Sequence, residues 1–318
     1  MTKIPMILVA FCVLGPACND FRDCSTVDVS GINVLPIWLS ETGLYSDIST
    51  ETLSESVIGF EPQYPLWTDG AEKQRWLLLP DGTQVDTEDD ETWIFPTGTK
   101  LFKTFIRDGV RIETRVILKT EAEWVAATYL WTSDDSDAKQ IESAISNASN
   151  TEHDIPSAAE CHACHGGRDS FALGFSAVQL DQGTKSNLHK LGLFTNASTA
   201  EVQLDDALKD GLGVLHGNCS HCHNASRANS PQATDCYDPG TEENFDLTLP
   251  ANLNAISDIP ALQTARHKLL KGEIIERMSQ RNTSNQNPSM PPLGTELVDE
   301  DGLAAVQALV DALNAEGH

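Results

Sequence analysis

Leu101-Phe-Lys-Thr-Phe-Ile-Arg107, then Asp108-Gly109, then Val110-Arg-Ile-Glu-Thr-Arg-Val-Ile-Leu118 is the stretch that decides the fold. Asp-Gly between two β-forming runs is a hairpin signal, because both central residues of a tight hairpin turn need positive φ. Along the second run Ile112, Thr114, Val116 and Leu118 alternate with Arg111, Glu113 and Arg115. That is the pattern of a strand with one buried face. Further out, Trp76-Leu-Leu-Leu79 followed by Pro80-Asp81-Gly82 reads as strand then turn, and Trp124 to Trp131 is another aromatic and β-branched run. Residues 58–150 are therefore expected to form a β-rich domain, a sandwich or small barrel. Trp67, Trp76, Trp93, Trp124 and Trp131 read as core aromatics, with a stacking platform for a sugar or peptide as the alternative. Asp69, Lys73 and Arg75 read as a solvated strand face, with the lining of a pocket as the alternative. Residues 133–160 are polar and small, and read as a linker with a short helix around Ala138–Ile145.

From about residue 200 the period changes. Leu204, Ala207, Leu208, Leu212 and Leu215 share one helical face. Leu303, Val306, Leu309, Val310 and Leu313 form a second stripe, with Asp299 or Glu300 at its N-terminus. The expected class is α+β multidomain, a β-rich region followed by a mainly helical one. The organisation is a signal peptide over 1–17, an extension over 18–57, the β-rich domain over 58–150, a segment over 151–200 and a C-terminal domain over 201–318.

The chain has 318 residues and a formal net charge of −26, from 21 Lys+Arg against 47 Asp+Glu. A phosphate backbone needs Lys and Arg to replace its counterions, so nucleic acid is an unsuitable partner. Anionic lipid is unsuitable for the same reason. Met1-Thr-Lys3 and the apolar run to Ala17 have the length of a signal peptide and fall short of a transmembrane span. Export to the periplasm follows. Cys18 is either an ordinary first residue or a lipid anchor on the inner or outer membrane; Gly15 and Ala17 suit cleavage, and Leu14 stands one place early for lipidation. The remaining Cys24 and Cys236 are candidates for a disulfide, or two free thiols.

Two pentads carry the chemistry: Cys161-His162-Ala163-Cys164-His165 and Cys219-Ser220-His221-Cys222-His223. Cys-x-x-Cys-His is the attachment pattern of c-type haem. Positions i, i+3 and i+4 share a face of a helical turn, so two thiols can add to the vinyl groups while His165 or His223 reaches the iron. Two covalently attached haems are implied. A zinc site can also use two Cys-x-x-Cys pairs, but has no reason to place His directly after both. A redox dithiol lacks its βαβ context. Met290, in Asn287-Pro288-Ser289-Met290-Pro291-Pro292, is the candidate sixth ligand of the second iron, because its prolines hold a loop free of helical hydrogen bonds. Met278, in a helical stretch, reads as core filler. For the first iron the candidates are His189, His153, His216, His267 and Met278, with an open position as the alternative.

Residues 201–318 resemble a class I cytochrome c domain: a helix, the second pentad, Arg277-Met278, the Met290-Pro-Pro-Leu-Gly294 loop and a closing helix. The whole mature chain resembles a family of exported bacterial dihaem c-type cytochrome-like proteins. The segments that carry this are Leu39-Ser-Glu-Thr-Gly-Leu-Tyr45, Tyr64-Pro-Leu-Trp-Thr-Asp-Gly-Ala-Glu-Lys-Gln-Arg-Trp76, Trp93-Ile-Phe-Pro-Thr-Gly-Thr-Lys100 and Ile155-Pro156. The resemblance implies haem binding and one-electron transfer, with no catalytic residue assigned. Redox partners with a basic docking surface suit the acidic chain. The rival classes are a haem enzyme, peroxidase-like or a dehydrogenase subunit, with an open first haem, and a ligand-binding module built on the β-rich domain.

Overall fold

The computed structural model describes residues 34–90, 92–168, 170–224, 245–253, 266, 268–281, 289–291 and 295–315. The expected signal peptide, Cys18, the candidate Cys24–Cys236 pairing, His267 and residues 292–294 of the methionine loop lie outside the described residues. Among the described residues, no helix is long and apolar enough to cross a membrane.

The decisive hairpin forms as read. β5 (Lys100–Arg107) and β6 (Val110–Lys119) are joined by Asp108 and Gly109 at φ 53° and 78°, the double positive φ of the favoured hairpin turn. They sit in the middle of a six-stranded antiparallel meander made with β3 (Val57–Gly59), β4 (Glu72–Leu78), β7 (Trp124–Trp131) and β8 (Ala138–Ile141) in sequence order. A separate ribbon pairs β1 (Tyr45–Asp47) with β2 (Thr52–Leu53). The expected sandwich or barrel is corrected to a single open sheet, order β3 to β8, plus this small ribbon, because the faces of the sheet are covered by the preceding segment and by the helical region instead of by a second sheet. The helix expected around Ala138–Ile145 is corrected to strand β8: Ala138 is fully buried opposite Trp131, and pairing with β7 outweighs local helix preference.

The sheet is covered on both faces. One face carries Trp76, Phe102, Val116, Ala127 and Tyr129, which pack against Leu35, Leu39, Leu44 and Tyr45 from the preceding segment. The other carries Leu77, Leu101, Ile117 and Ala126, and packs against Cys161, Phe171, Phe175 and Val178. Burial of Trp76, Trp93, Trp124 and Trp131 makes them core residues; Trp67 is half-buried. The core on the second face continues through Leu188, Leu212, Leu215 and Met278 to Val306, Leu309 and Leu313. One apolar body therefore runs across the expected boundaries at 150 and 200.

The α-helices among the described residues are α1 (Ala158–His165), α2 (Gln182–Lys190), α3 (Asp206–Asn218), α4 (Glu273–Ser279) and α5 (Glu300–Ala315). α1 starts at a full capping box between Ser157 and Glu160. α5 starts where Asp299 accepts the Gly302 N–H at 2.9 Å, and buries Val306, Leu309, Val310 and Leu313 from the expected stripe. α3 packs along α5.

Candidate functional site

The first pentad lies on a helix and the second forms a hydrogen-bonded turn just beyond one. In the first, Cys161, Cys164 and His165 end α1. In the second, which follows α3, the Cys222 N–H donates to the Cys219 carbonyl at 3.0 Å and the His223 N–H donates to the same carbonyl at 2.8 Å. None of the four sulfurs is in a disulfide. The two turns meet: the Cys164 side chain is in hydrogen-bonding contact with Cys222 and His221, which holds the Cys164 thiol well below its usual pKa against the effect of burial. Burial pushes Cys161 up to about 11 and Cys219 up to about 12. Among the described residues, no three His, Cys, Asp or Glu side chains converge as a metal-binding group.

The imidazoles divide by which nitrogen is engaged. His165 Nδ1 lies 2.7 Å from the Phe171 carbonyl oxygen. A carbonyl only accepts, so Nδ1 carries the proton and Nε2 keeps its lone pair. Burial, with the Lys103 charge adding to it, pushes His165 down to about 3, so the ring is neutral. His216 is the reverse: its Nδ1 accepts the Leu249 N–H at 3.0 Å, so the proton of the neutral ring is on Nε2. His153 Nε2 bonds Glu113 at 2.7 Å. His189 is exposed at the end of α2, with Nδ1 3.2 Å from the Phe194 carbonyl. His223 packs edge-on against Phe245, with centroids 4.8 Å apart. Met278 is buried in the core, as read. Met290 is half-buried; its N–H donates to the Arg277 carbonyl at 3.0 Å and its own carbonyl accepts from Arg281 Nη1 at 3.2 Å. The loop is thus held to the end of α4.

A small cavity of about 40 Å³ lies between α1 and the sheet, lined by Cys161 and His165 on one side and by Arg75, Lys103 and Arg115 on the other. A larger one, about 230 Å³, lies beside the second pentad and is lined by Arg168, Phe175, Gln179, His216, Ser220 and His221. Arg168 Nη2 donates to Ser220 Oγ at 2.7 Å, which ties the loop after the first pentad to the second.

The charged strand residues are not solvated. Arg75 and Glu113 are buried, and Arg115 and Lys103 are mostly so. This corrects the solvated-face expectation for Arg75 in favour of its pocket alternative, because helix α1 and the segment 171–178 cover that face. Asp69 is buried for another reason: its carboxylate accepts the N–H groups of Glu296 at 2.8 Å and Leu297 at 2.9 Å. Glu113 accepts two hydrogen bonds from Arg115 and one from His153. Burial works to raise the Glu113 carboxyl, but the Arg115 charge and the His153 bond hold it below the usual range. Burial pushes the Lys103 amine down to about 7 and Lys73 down to about 8, with neighbouring cations adding to both. The sequence reading named none of Lys103, Glu113 or Arg115 as site residues. No family model, curated protein or solved structure matches the chain.

Proposed function

We propose that the protein is an exported dihaem c-type cytochrome that transfers single electrons, with one haem on Cys161 and Cys164 and one on Cys219 and Cys222. The observation that carries this is the His165 ring. Its Nδ1 proton is fixed on the Phe171 carbonyl, and its free Nε2 faces no protein partner among the described residues. Iron ligation asks for that tautomer and that outer-shell bond. The thiols at i and i+3, none of them in a disulfide, would supply the attachment points. Bound haem would supply an iron that alternates between Fe(III) and Fe(II) with no bond made or broken. The donors fit such a group. Drug-sized ligands occupy pockets of about 300–1,000 Å³, and the cavity at the first pentad is about 40 Å³. Seating a macrocycle there therefore requires α1 to move off the sheet.

His165 and His223 would hold the two irons, and Met290 would be the second ligand at His223. A haem enzyme with an open first site is the second reading. It is favoured by the engagement of His153 Nε2 with Glu113 and of His216 Nδ1 with Leu249.

The test is the covalent haem content of the full chain expressed with a haem-attachment system. Two haems per chain are expected, falling to one when Cys161 and Cys164 are both replaced by Ser. Zero haems with bound zinc would overturn the proposal. A first haem that stays low-spin and ignores cyanide and carbon monoxide would remove the enzyme reading.

A further inference from the structure

The loop that carries Met290 is held from two directions. Its described residues, 289–291 and 295–298, form neither helix nor strand, so no ladder of backbone bonds fixes them. At Met290 the hold is local: the N–H donates to the Arg277 carbonyl, and the carbonyl accepts from Arg281 Nη1. A little further on, the hold comes from the other end of the sequence. The Asp69 carboxylate accepts the N–H groups of Glu296 and Leu297, which lie 227 and 228 positions away. Trp67 Nε1 donates to the Leu297 carbonyl at 3.1 Å, and Arg281 Nε donates to the same oxygen at 2.7 Å.

The same short segment also grips the helix that leads into the second pentad. The Trp67 N–H donates to Asn218 Oδ1 at 2.7 Å, and Asn218 is the last residue of α3, directly before Cys219. Asn218 Nδ2 donates in turn to the Val214 carbonyl at 3.0 Å. Tyr64 lies so close to Gly213 and Gly217 of α3 that a Cβ at either would collide with it. Behind the segment, Lys73 Nζ on β4 donates to the Leu66 carbonyl at 2.6 Å, which ties it to the sheet. Asp69 is 3% exposed and sits at φ 53°. Asp tolerates that left-handed region, but burying a carboxylate costs free energy unless its oxygens are bonded. Each oxygen takes one of the two backbone N–H groups. Residues 64–69 thus bridge the end of α3 and the Met290 loop, with the sheet behind them.

We propose that Asp69 and Trp67 are positioning residues for the second iron: they fix the Met290 loop relative to the end of α3, and so hold the thioether at the iron that His223 ligates. This rests on the reading of Met290 as the second ligand. A thioether raises the potential of its iron, and outer partners that hold a ligand in place tune the metal through it. The β-rich region, which contains neither pentad, then sets the potential of a haem attached elsewhere in the chain. The competing role is a plain staple, in which Asp69 fastens the C-terminal region to the sheet with no effect on the iron.

The experiment uses the full-length protein with its haems attached. Met290→Ala is measured first; if neither midpoint potential falls, the ligand reading fails and this proposal falls with it. Asp69→Asn keeps the side-chain size and suits positive φ. Its amide has only one acceptor oxygen, so Glu296 or Leu297 loses its partner. It should lower the same potential that Met290→Ala lowers, leave the other unmoved, and weaken the methyl NMR resonance of the iron-bound methionine in the reduced protein. Exchange of the amide that loses its partner should quicken by about tenfold or more. Trp67→Phe, which removes only the indole N–H, should act in the same direction, and it decides the question if Asp69→Asn does not fold. Asp81→Asn, an exposed control that removes the same charge, should move neither potential. The sign separates holding from charge: losing a nearby negative charge alone disfavours Fe(III) and would raise the potential. A rise, a fall in both potentials, or faster amide exchange with both potentials unmoved would each overturn the assignment, the last by leaving Asp69 a staple only.

Discussion

Glu113 is the residue on which the covered charged face most depends. It is fully buried and neutralises Arg115 through two hydrogen bonds, the longer at 2.9 Å, while His153 holds its other side. Breaking a buried pair from one side strands the other charge and costs about 3–5 kcal/mol. Glu113→Gln should lose that much stability at pH 7 in denaturant unfolding. The carboxyl is held below its ordinary range in the folded chain, so its contribution is present above the unfolded pKa and fades as pH falls through the folded one. The gap between wild type and variant should therefore close in acid. A gap that stays constant to pH 2 would show that packing, rather than charge, is what the variant disturbs. Met290→Ala tests a different residue. If its thioether is the second ligand at His223, one midpoint potential falls and the other holds; two unmoved potentials would remove Met290 from the site.

At the scale of elements, α3 depends on having no side chains at three places. A Cβ at Gly213 would run into the Tyr64 ring, one at Gly217 into the Tyr64 carbonyl, and one at Gly211 would come within 2.5 Å of Leu309 Cβ on α5. Overpacking of this kind costs about 1–3 kcal/mol. Gly213→Ala should lower the melting temperature accordingly, although Ala is the better helix former; a rise would mean that Tyr64 moves aside freely. The hairpin shows what the sequence does and does not reveal. Its turn, and strands β5, β6 and β7, were legible because Asp108-Gly109 and the flanking residue types are local signals. Its register was not. From Arg107–Val110 and Ile106–Arg111 the pairing shifts by one, so that Phe105 meets Glu113 and Lys103 meets Arg115, with Ile112 left as the extra residue. Extrapolated from the turn alone, Lys103 would face Thr114, and the two cations would not meet. A bulge has no pattern in residue types, and it changes which side chains share a face. Burial of the polar side was equally illegible, since the residues that cover it come from 158–178. The local turn of each pentad, by contrast, was legible, because i, i+3 and i+4 on one turn are a property of neighbouring residues. Which distant side chains come near His165 was not, since that depends on the tertiary fold.

For the whole molecule, the continuous core argues against cutting the chain at its expected boundaries. Leu77, Leu101 and Ile117 on the sheet share a core with Phe175, Leu215 and Leu309. A fragment ending at residue 150 would expose that apolar row and the cations beside it, so it should fail to give a cooperative unfolding transition. A sharp two-state melt from the fragment would show that the β-rich domain stands alone. The net charge of −26 acts at the same scale. If the protein's partner is a redox protein with a basic docking surface, their association should slow as salt is raised, because screening shortens the reach of the field to about 8 Å at physiological ionic strength. An on-rate indifferent to salt would place the docking surface away from the acidic residues.

The sealed sulfurs impose an order in time. Cys161 and Cys222 are buried in the closed chain, and burial disfavours the thiolate at Cys161 and Cys219. The thiolate is the reactive form. If a haem is to be bonded to Cys161 and Cys219, as proposed, it must arrive while the polypeptide is still open, before α1 settles on the sheet and the second pentad settles against the first. Closure of the fold would then be a deadline for that attachment.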